Sequence, residues 1–245
     1  MTSFTAELSE GYISNDETAI ANLQSIVQSS KNLKKLHLRV NVHGCVRYHY
    51  STNFSENGET FPPLEELVLE HFEVTQSCGE YWLKAMDWSH LRALDLREGS
   101  FSTPFLSLLL PIADKLPTLE SIGLKLPDSS LSLTRQLFLT ARPQSLLDIR
   151  VHGHYQSLLP DILNHHATSL KSLSLHERET ANGDNQRVPL PVEELKDVGT
   201  RCIGLEALAL DVNILKEHTW VSTHLRFRCI VLIFHSRSRT TLSML

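Results

Sequence analysis

Histidines are the residues most able to do chemistry in this sequence, which contains 13 of them. His152 and His154 stand two residues apart in the stretch VHGHY, and His176 follows further along the chain. Three more potential metal ligands lie in the stretch NVHGCVRYHY, namely His43, Cys45 and His49. Zinc needs three or four such ligands converging in a tetrahedron, with further groups to hold them. Because spacing alone does not provide this, we favour exposed histidines and predict no metal and no cofactor.

Nucleophilic catalysis would need a serine or cysteine held beside a base. The sequence has no GxSxG turn, no phosphate-binding glycine loop and no HExxH motif. We therefore predict that the chain is not an enzyme, and a histidine-dependent metal-binding or hydrolytic enzyme stays as the alternative. The net charge of -5 and the pI near 6.2 also argue against nucleic-acid binding, which depends on an excess of basic residues.

The cysteines and the amino terminus indicate where the chain resides. The four cysteines are far apart and form no CxxC pair, which argues against a disulfide framework or a structural zinc site; they are Cys45, Cys78, Cys202 and Cys229. The first residues, MTSFTAELSEGYISN, do not resemble a leader peptide, and no stretch approaches the roughly 18 apolar residues of a membrane span. We expect a cytoplasmic or nuclear protein that does not enter a membrane.

A recurring phrase predicts the elements that position these side chains. The pattern Lxx(L/I)x(L/V) occurs seven times, and successive copies begin 24 to 35 residues apart. The copies are Leu33-Leu36-Leu38, Leu64-Leu67-Leu69, Leu91-Leu94-Leu96, Leu119-Ile122-Leu124, Leu146-Ile149-Val151, Leu170-Leu173-Leu175 and Leu205-Leu208-Leu210. This period is close to the roughly 20 to 29 residues of a unit made of one strand and one helix.

The phrase has a simple physical meaning. Its aliphatic residues point inward from a short strand, the strands stack as a parallel sheet, and the residues between face solvent on a concave side. The segments between copies supply helices, beginning with NDETAIANLQSIVQSS, in which Ile20, Leu23, Ile26 and Val27 share one face. Further helices are expected over Phe105 to Leu116, Leu131 to Leu139, Tyr155 to His166 and Pro191 to Ile203. The fold class predicted is an α/β solenoid.

The repeats divide the chain into three parts. Residues 1–15 form a lead segment, 16–213 form one repeat domain, and 214–245 form an atypical tail. The hydrophobic fraction of 41% permits a packed core in the repeats. In the tail, the apolar run Cys229 to Phe234 is bordered by arginines. It could be a degenerate strand that caps the array or an unrelated sequence that replaced further repeats, and we favour the second.

At the residue level the chain resembles the leucine-rich-repeat family, from about Asp16 to Asn213. Two copies extend to the longer phrase LxxLxLxxN, ending in Asn41 and Asn213. Phe72 takes the asparagine place in the second copy. The irregular repeats look most like the repeat portion of fungal F-box/leucine-rich-repeat proteins. The resemblance implies a horseshoe with a concave sheet and convex helices, and substrate recognition for a cullin ubiquitin ligase.

The F-box of that family is not expected in this chain. It would precede the repeats as roughly 40 residues of helical pattern, but only about fifteen residues precede the first helix. The phrase LPVEEL, Leu190 to Leu195, imitates the opening of an F-box, but a repeat follows it at the ordinary distance. We interpret it as a repeat helix with Pro191 in the first turn. Binding of the Skp adaptor is therefore not predicted.

The predicted working surface is the concave side. We expect Arg97, Lys125, Arg150, His152 and His176 to form a cationic patch for an acidic segment of a partner protein, giving orientation and encounter rate more than affinity. The other predicted contact residues are the flanking acids and two aromatic anchors, namely Asp95, Asp148, Phe72 and Tyr155. Trp82 and Trp88 are expected in the core instead. An ordinary solvated surface, or a structural remnant without a partner, is the alternative.

Overall fold

A parallel sheet runs through the part of the chain that the structure describes. The computed structural model describes residues 1–9, 17–41, 60–72, 74, 76–97, 102–125, 128–153, 155–176, 190–210 and 231–234. The described residues contain nine strands, and each strand pairs in parallel with the next one in the sequence. They are β1 (Ser3–Ser9), β2 (Lys35–Asn41), β3 (Glu66–Glu70), β4 (Ala93–Arg97), β5 (Ser121–Lys125), β6 (Asp148–His152), β7 (Ser172–His176), β8 (Ala207–Leu210) and β9 (Val231–Phe234).

Helices and short 3₁₀ turns connect the strands and cover one side of the sheet. Six α-helices lie in the described residues: α1 (Glu17–Ser29), α2 (Gln76–Ala85), α3 (Ser102–Leu109), α4 (Leu131–Thr140), α5 (Leu159–His166) and α6 (Val192–Arg201). A parallel connection must cross from the end of one strand to the start of the next, and a helix is its usual form. The observed fold is therefore α/β, with one repeated strand and helix unit.

The aliphatic triplets explain why the strands form where they do. The first member of each triplet lies just before a strand and the other two lie within it. None of these side chains is more than 6% exposed, and Leu94, Ile122 and Leu173 are 1%, 0% and 1% exposed. Fully burying one such side chain is worth about 1.5 to 3 kcal/mol. The inward orientation predicted from the sequence is confirmed.

Backbone hydrogen bonds join the units at one residue of every phrase, the one that follows the first leucine. The carbonyl of Lys34 accepts from the amides of Glu65 and Glu66, at 2.7 and 2.9 Å. The carbonyl of Glu65 accepts from the next unit in the same way, and the arrangement continues to the carbonyl of Lys171, which accepts from Glu206 at 2.8 Å. The backbone amides at the start of each unit's strand therefore donate to a carbonyl of the preceding unit, as expected for a repeat array.

Aromatic side chains fill the space between the sheet and the helix layer. Trp82 packs edge-on against Phe105, with ring centroids 6.4 Å apart, and Phe61 lies 5.4 Å from Trp82. The hydroxyl of Tyr81 in α2 accepts a 2.7 Å hydrogen bond from Nε2 of Gln28 in α1. Buried polar groups need such partners, so this bond allows both side chains to lie between the helices.

The structure adds elements that the sequence pattern did not predict. Strand β1 lies within the lead segment and pairs with β2, although FTAEL lacks the aliphatic triplet. Helix α2 was also not predicted, whereas α1, α4, α5 and α6 fall on expected segments. Strand β9 pairs in register with β8, which fits the degenerate strand that we did not favour for the tail. In the described part of the chain, no helix is long and apolar enough to span a membrane.

Candidate functional site

The side of the sheet turned away from the helices forms one surface, which we call the open face. It consists of the alternate strand residues that lie between the aliphatic ones. In β2 to β8 the strands pair so that equivalent positions of successive units stand side by side. One row of such positions, the middle row, contains His37, Val68, Asp95, Gly123, Arg150, Ser174 and Ala209.

The centre of the open face is an ion cluster built around Asp95 of β4. Nε and Nη2 of Arg97 each lie 2.8 Å from Oδ2 of Asp95. Nη1 of Arg150, on β6, lies 3.0 Å from the same oxygen. The Asp95 side chain is only 7% exposed, whereas those of Arg97 and Arg150 are 43% and 37% exposed. The two guanidinium groups thus lie over a buried carboxylate and remain open to solvent themselves.

Gly123 explains how Asp95 reaches an arginine two strands away. Gly123 lies on β5, between Asp95 and Arg150 in the middle row. A Cβ atom at position 123 would overlap the Asp95 carboxylate, because it would stand 2.7 Å from Cγ. The space that a side chain would occupy on β5 is therefore filled by the Asp95 carboxylate. Adjacent strands are about 4.8 Å apart, so an ion pair across two of them needs this gap.

Further acids flank the cluster on both sides. Glu70 of β3 lies 3.2 Å from Nε of Arg39 and 3.9 Å from Nη1 of Arg97. Oδ2 of Asp148 accepts a 2.8 Å hydrogen bond from the Ser121 hydroxyl. The same oxygen lies 3.1 Å from Nε of Arg150, but the N–H is not directed at it, so this contact is ionic only. The flanking acids therefore share the arginines with Asp95.

These contacts change the predicted cationic patch. Arg97 and Arg150 lie together as expected, but a carboxylate of the chain itself neutralises part of their charge. Lys125 and His152 are exposed, whereas His176 is only 8% exposed. The rings of His152 and His176 are neighbours, with centroids 4.9 Å apart. The patch is thus a mixed-charge surface at its centre, and its binding of an acidic segment stays a prediction.

The two predicted aromatic anchors are wrong. Phe72 and Tyr155 are both 0% exposed and pack in the core, so neither can contact a partner. The ring centroids of Phe72 and Trp82 are 6.3 Å apart. Trp82 and Trp88 are 1% and 6% exposed, and their predicted place in the core is confirmed.

The potential metal ligands do not assemble in the part of the chain that the structure describes. No group of three or more histidines, cysteines or acids there could hold a metal ion. His152 and His176 are adjacent, but His154, His43, Cys45 and His49 lie outside the described residues.

Buried titratable groups lie in the helix layer instead. His166 is 0% exposed, its Nε2 lies 3.1 Å from the carbonyl oxygen of Phe138, and its Nδ1 has no hydrogen-bond partner. Burial lowers the pKa of His166 below its usual 6.5, and nearby His165 lowers it further. Burial also raises the pKa of Cys202 to about 11. The Cys202 thiol is therefore mainly protonated at neutral pH, and the thiolate is the nucleophilic form.

A shallow groove of about 240 Å³ lies between α5 and α6. Its floor is apolar and its rim is mostly acidic, and it is lined by Leu159, Pro160, Leu163, Glu193, Glu194, Asp197 and Arg201. Desolvation raises the pKa of Glu194, whose Oε2 is buried without a hydrogen-bond partner. The groove is smaller than the roughly 300 to 1,000 Å³ of ordinary ligand pockets.

A row of exposed charges at the amino-terminal ends of the strands was missed in the sequence. The residue after the first leucine is charged in six of the seven phrases, with alternating sign, and is Leu147 in the fifth. The pairs along this row include Lys34 with Glu65 at 2.6 Å and Arg92 with Glu120 at 2.8 Å. The hydrogen bond from Lys34 lowers the pKa of Glu65. Reading this one position through all copies would have predicted the row. Exposed pairs of this kind add little stability.

Neither a scan against protein-family models nor a search of curated proteins finds a match for this chain.

Proposed function

We propose that this chain is a non-enzymatic protein-binding module of the leucine-rich-repeat type, and that it binds its partner on the concave side of a horseshoe. The observation that carries the proposal is the open face. The nine strands of the described residues, about 4.8 Å apart, extend over roughly 38 Å, and equivalent positions of β2 to β8 stand side by side. A continuous surface of this length suits an extended segment of another protein better than a small molecule.

The charges of the open face indicate how the partner is recognised. Arg97, Arg150 and Lys125 offer N–H donors at its centre, and the arginines keep 43% and 37% of their side chains exposed. Their compensating acid, Asp95, lies beneath them. A partner that approaches this surface therefore contacts positively charged N–H donors, and an acidic segment is the complementary ligand. Such complementarity governs orientation and association rate more than affinity.

The resemblance to F-box/leucine-rich-repeat proteins adds a cellular role to this proposal. In that role the bound protein would be a substrate for ubiquitin transfer, recognised by the repeats. The role predicts that a captured partner carries less ubiquitin when this chain is removed from cells. An unchanged level would leave a binding module without a part in ubiquitin transfer.

The test of the proposal compares two double charge reversals. Arg97→Glu with Arg150→Glu changes the centre of the open face. Arg135→Glu with Arg201→Glu is the matched control, because it changes net charge equally and breaks two ion pairs in the helix layer, Arg135 with Asp161 at 2.6 Å and Arg201 with Asp197 at 3.2 Å. Partners are captured with each variant and identified by mass spectrometry.

The proposal expects capture of a defined partner to be lost with the first pair of reversals and retained with the control. A milder pair, Arg97→Gln with Arg150→Gln, should weaken capture without placing new acids near Asp95. Thermal unfolding of each variant shows that it is folded. Equal capture by all folded variants, or no specific capture by the parent chain, would contradict the proposal.

A further inference from the structure

The carboxylate of Asp95 marks a binding site on the open face. Three guanidinium nitrogens of two side chains converge on its Oδ2: Nε of Arg97 donates a hydrogen bond, and Nη2 of Arg97 and Nη1 of Arg150 lie at ion-pair distance. Guanidinium groups are well suited to hold a carboxylate through several close contacts. The site is therefore already shaped for a carboxylate, and one from the chain itself occupies it.

We propose that Arg97 and Arg150 form the binding site for a side-chain carboxylate of the partner, and that Asp95 occupies this site as an internal stand-in in the free protein. The inference rests on the proposed function, because the partner's carboxylate would come from its acidic segment. Binding then exchanges one carboxylate for another. Because Asp95 competes for the same two arginines, it lowers the affinity of the site for an acidic segment.

The exposure of the three side chains supports an exchange. Asp95 is buried beneath the guanidinium groups, while the arginines are partly exposed on long, flexible side chains. An arginine can therefore turn its donors from Asp95 toward an incoming carboxylate without movement of the sheet. Without Asp95, the three guanidinium nitrogens that face it would lose this partner, and the local charge would become more positive by one.

Gly123 holds this arrangement in place without contributing a charge. Its lack of a side chain gives the Asp95 carboxylate the space through which it reaches Arg150. An alanine at position 123 would displace the carboxylate from that space while the net charge of the protein stays the same. Gly123 is therefore a positioning residue. Its replacement shows whether peptide binding responds to a carboxylate held between the arginines or to the net charge of the protein.

The experiment measures binding of a hexaglutamate peptide to the full chain and to three variants. Asp95→Asn removes the stand-in charge, and Gly123→Ala displaces it. Glu66→Gln is the control, because it removes one acid from the same face, where Glu66 pairs with Lys35 at 2.7 Å instead of with the arginine pair. Affinity is measured by calorimetry at low salt, and circular dichroism checks the fold.

We expect Asp95→Asn to tighten peptide binding roughly tenfold, since it removes the negative charge that competes with the peptide for the two arginines. Gly123→Ala should tighten binding in the same direction, and Glu66→Gln should change it little. Adding Arg97→Gln and Arg150→Gln to Asp95→Asn should abolish the gain. Equal gains for Asp95→Asn and Glu66→Gln would overturn the proposal, because they would report net charge alone.

Weaker or unchanged binding by both Asp95→Asn and Gly123→Ala would also overturn it. This failure is distinguishable from failure of the proposed function. Capture of a partner that depends on Arg97 and Arg150, without a gain from Asp95→Asn, would refute only the stand-in. A clear gain in peptide binding, without any captured protein, would support the site and refute the proposed function.

Discussion

Asp95 and Arg150 are joined by a 3.0 Å ion pair although a complete strand, β5, lies between them. The pair crosses β5 at Gly123, where no side chain stands in the way. Arg97 binds the same carboxylate oxygen from the strand that carries Asp95. One acid thus couples β4 to β6, and the stability of the open face and its binding chemistry depend on the same contact.

Replacing Asp95 should destabilise the fold. Asp95→Ala removes the carboxylate that accepts from Arg97 and pairs with Arg150, and it leaves two guanidinium groups without this acid, so we expect a loss of about 1 to 3 kcal/mol in the free energy of unfolding. Urea denaturation measures it. A double-mutant cycle with Arg150→Ala should give a coupling energy above about 0.5 kcal/mol. Glu206→Ala, which breaks an exposed pair with Lys171, should cost much less, and equal losses would contradict this account.

The stability effect of Gly123→Ala should depend on Asp95. In the parent chain the new Cβ collides with the carboxylate, so we expect a lower midpoint of thermal unfolding. In the Asp95→Ala background the collision is absent, and alanine suits a strand better than glycine. The substitution should then be neutral or stabilising. A loss of the same size in both backgrounds would show that Asp95 is not what makes glycine necessary.

Much of the fold could be predicted because the aliphatic triplets report directly on burial. When the buried residues of successive parallel strands stand side by side, the exposed residues between them must do so as well. The rows of the open face therefore followed from the spacing of the triplets. Strand β1 escaped prediction because Phe4, Ala6 and Leu8 alternate without the leading leucine of the phrase. These side chains are only partly buried, which fits a strand at the end of the array.

The site was harder to predict because it depends on the orientation of individual side chains. The sequence placed Arg97 and Arg150 near each other, but the shared carboxylate results from the empty position at Gly123. That signal was present, since Asp95, Gly123 and Arg150 are neighbours in the middle row. The anchors Phe72 and Tyr155 failed for another reason. Both lie just beyond a strand, where the chain turns into the core instead of outward.

Stability should fall in mild acid because of His166. Burial lowers the pKa of this histidine in the folded state, so folding favours its neutral form. Its contribution is therefore fully present above the unfolded-state pKa of about 6.5 and is lost as the pH falls from there toward the folded-state pKa. One proton gives a slope of at most about 1.4 kcal/mol per pH unit. Thermal unfolding from pH 7.5 to 5 measures the effect.

His166→Gln supplies the comparison for this pH dependence. A glutamine can still donate to the carbonyl oxygen of Phe138, but it does not titrate. The variant should lose less stability between pH 7.5 and 5 than the parent chain does. Identical pH profiles would show that His166 is not protonated on unfolding in this range.

The two buried cysteines of the described residues should resist alkylation. Cys78 and Cys202 are each 1% exposed, and the pKa of Cys202 is raised to about 11 by burial. The thiolate is the reactive form, so iodoacetamide at pH 8 should leave both unmodified in the native protein and modify both in urea. Peptide mapping by mass spectrometry locates the label. Rapid native labelling of Cys202 would contradict its buried position.

The alignment of successive units underlies the whole account, and a disulfide between two strands tests it most directly. Ser174 and Ala209 are Cα partners in β7 and β8, so cysteines there should stand about 5 Å apart and form a disulfide on mild oxidation. Cysteines at Ser174 and Ala207 would stand roughly 8 Å apart, beyond the reach of a disulfide. We predict efficient linkage of the first pair only. Equal or preferred linkage of the second pair would mean that the rows of the open face do not exist.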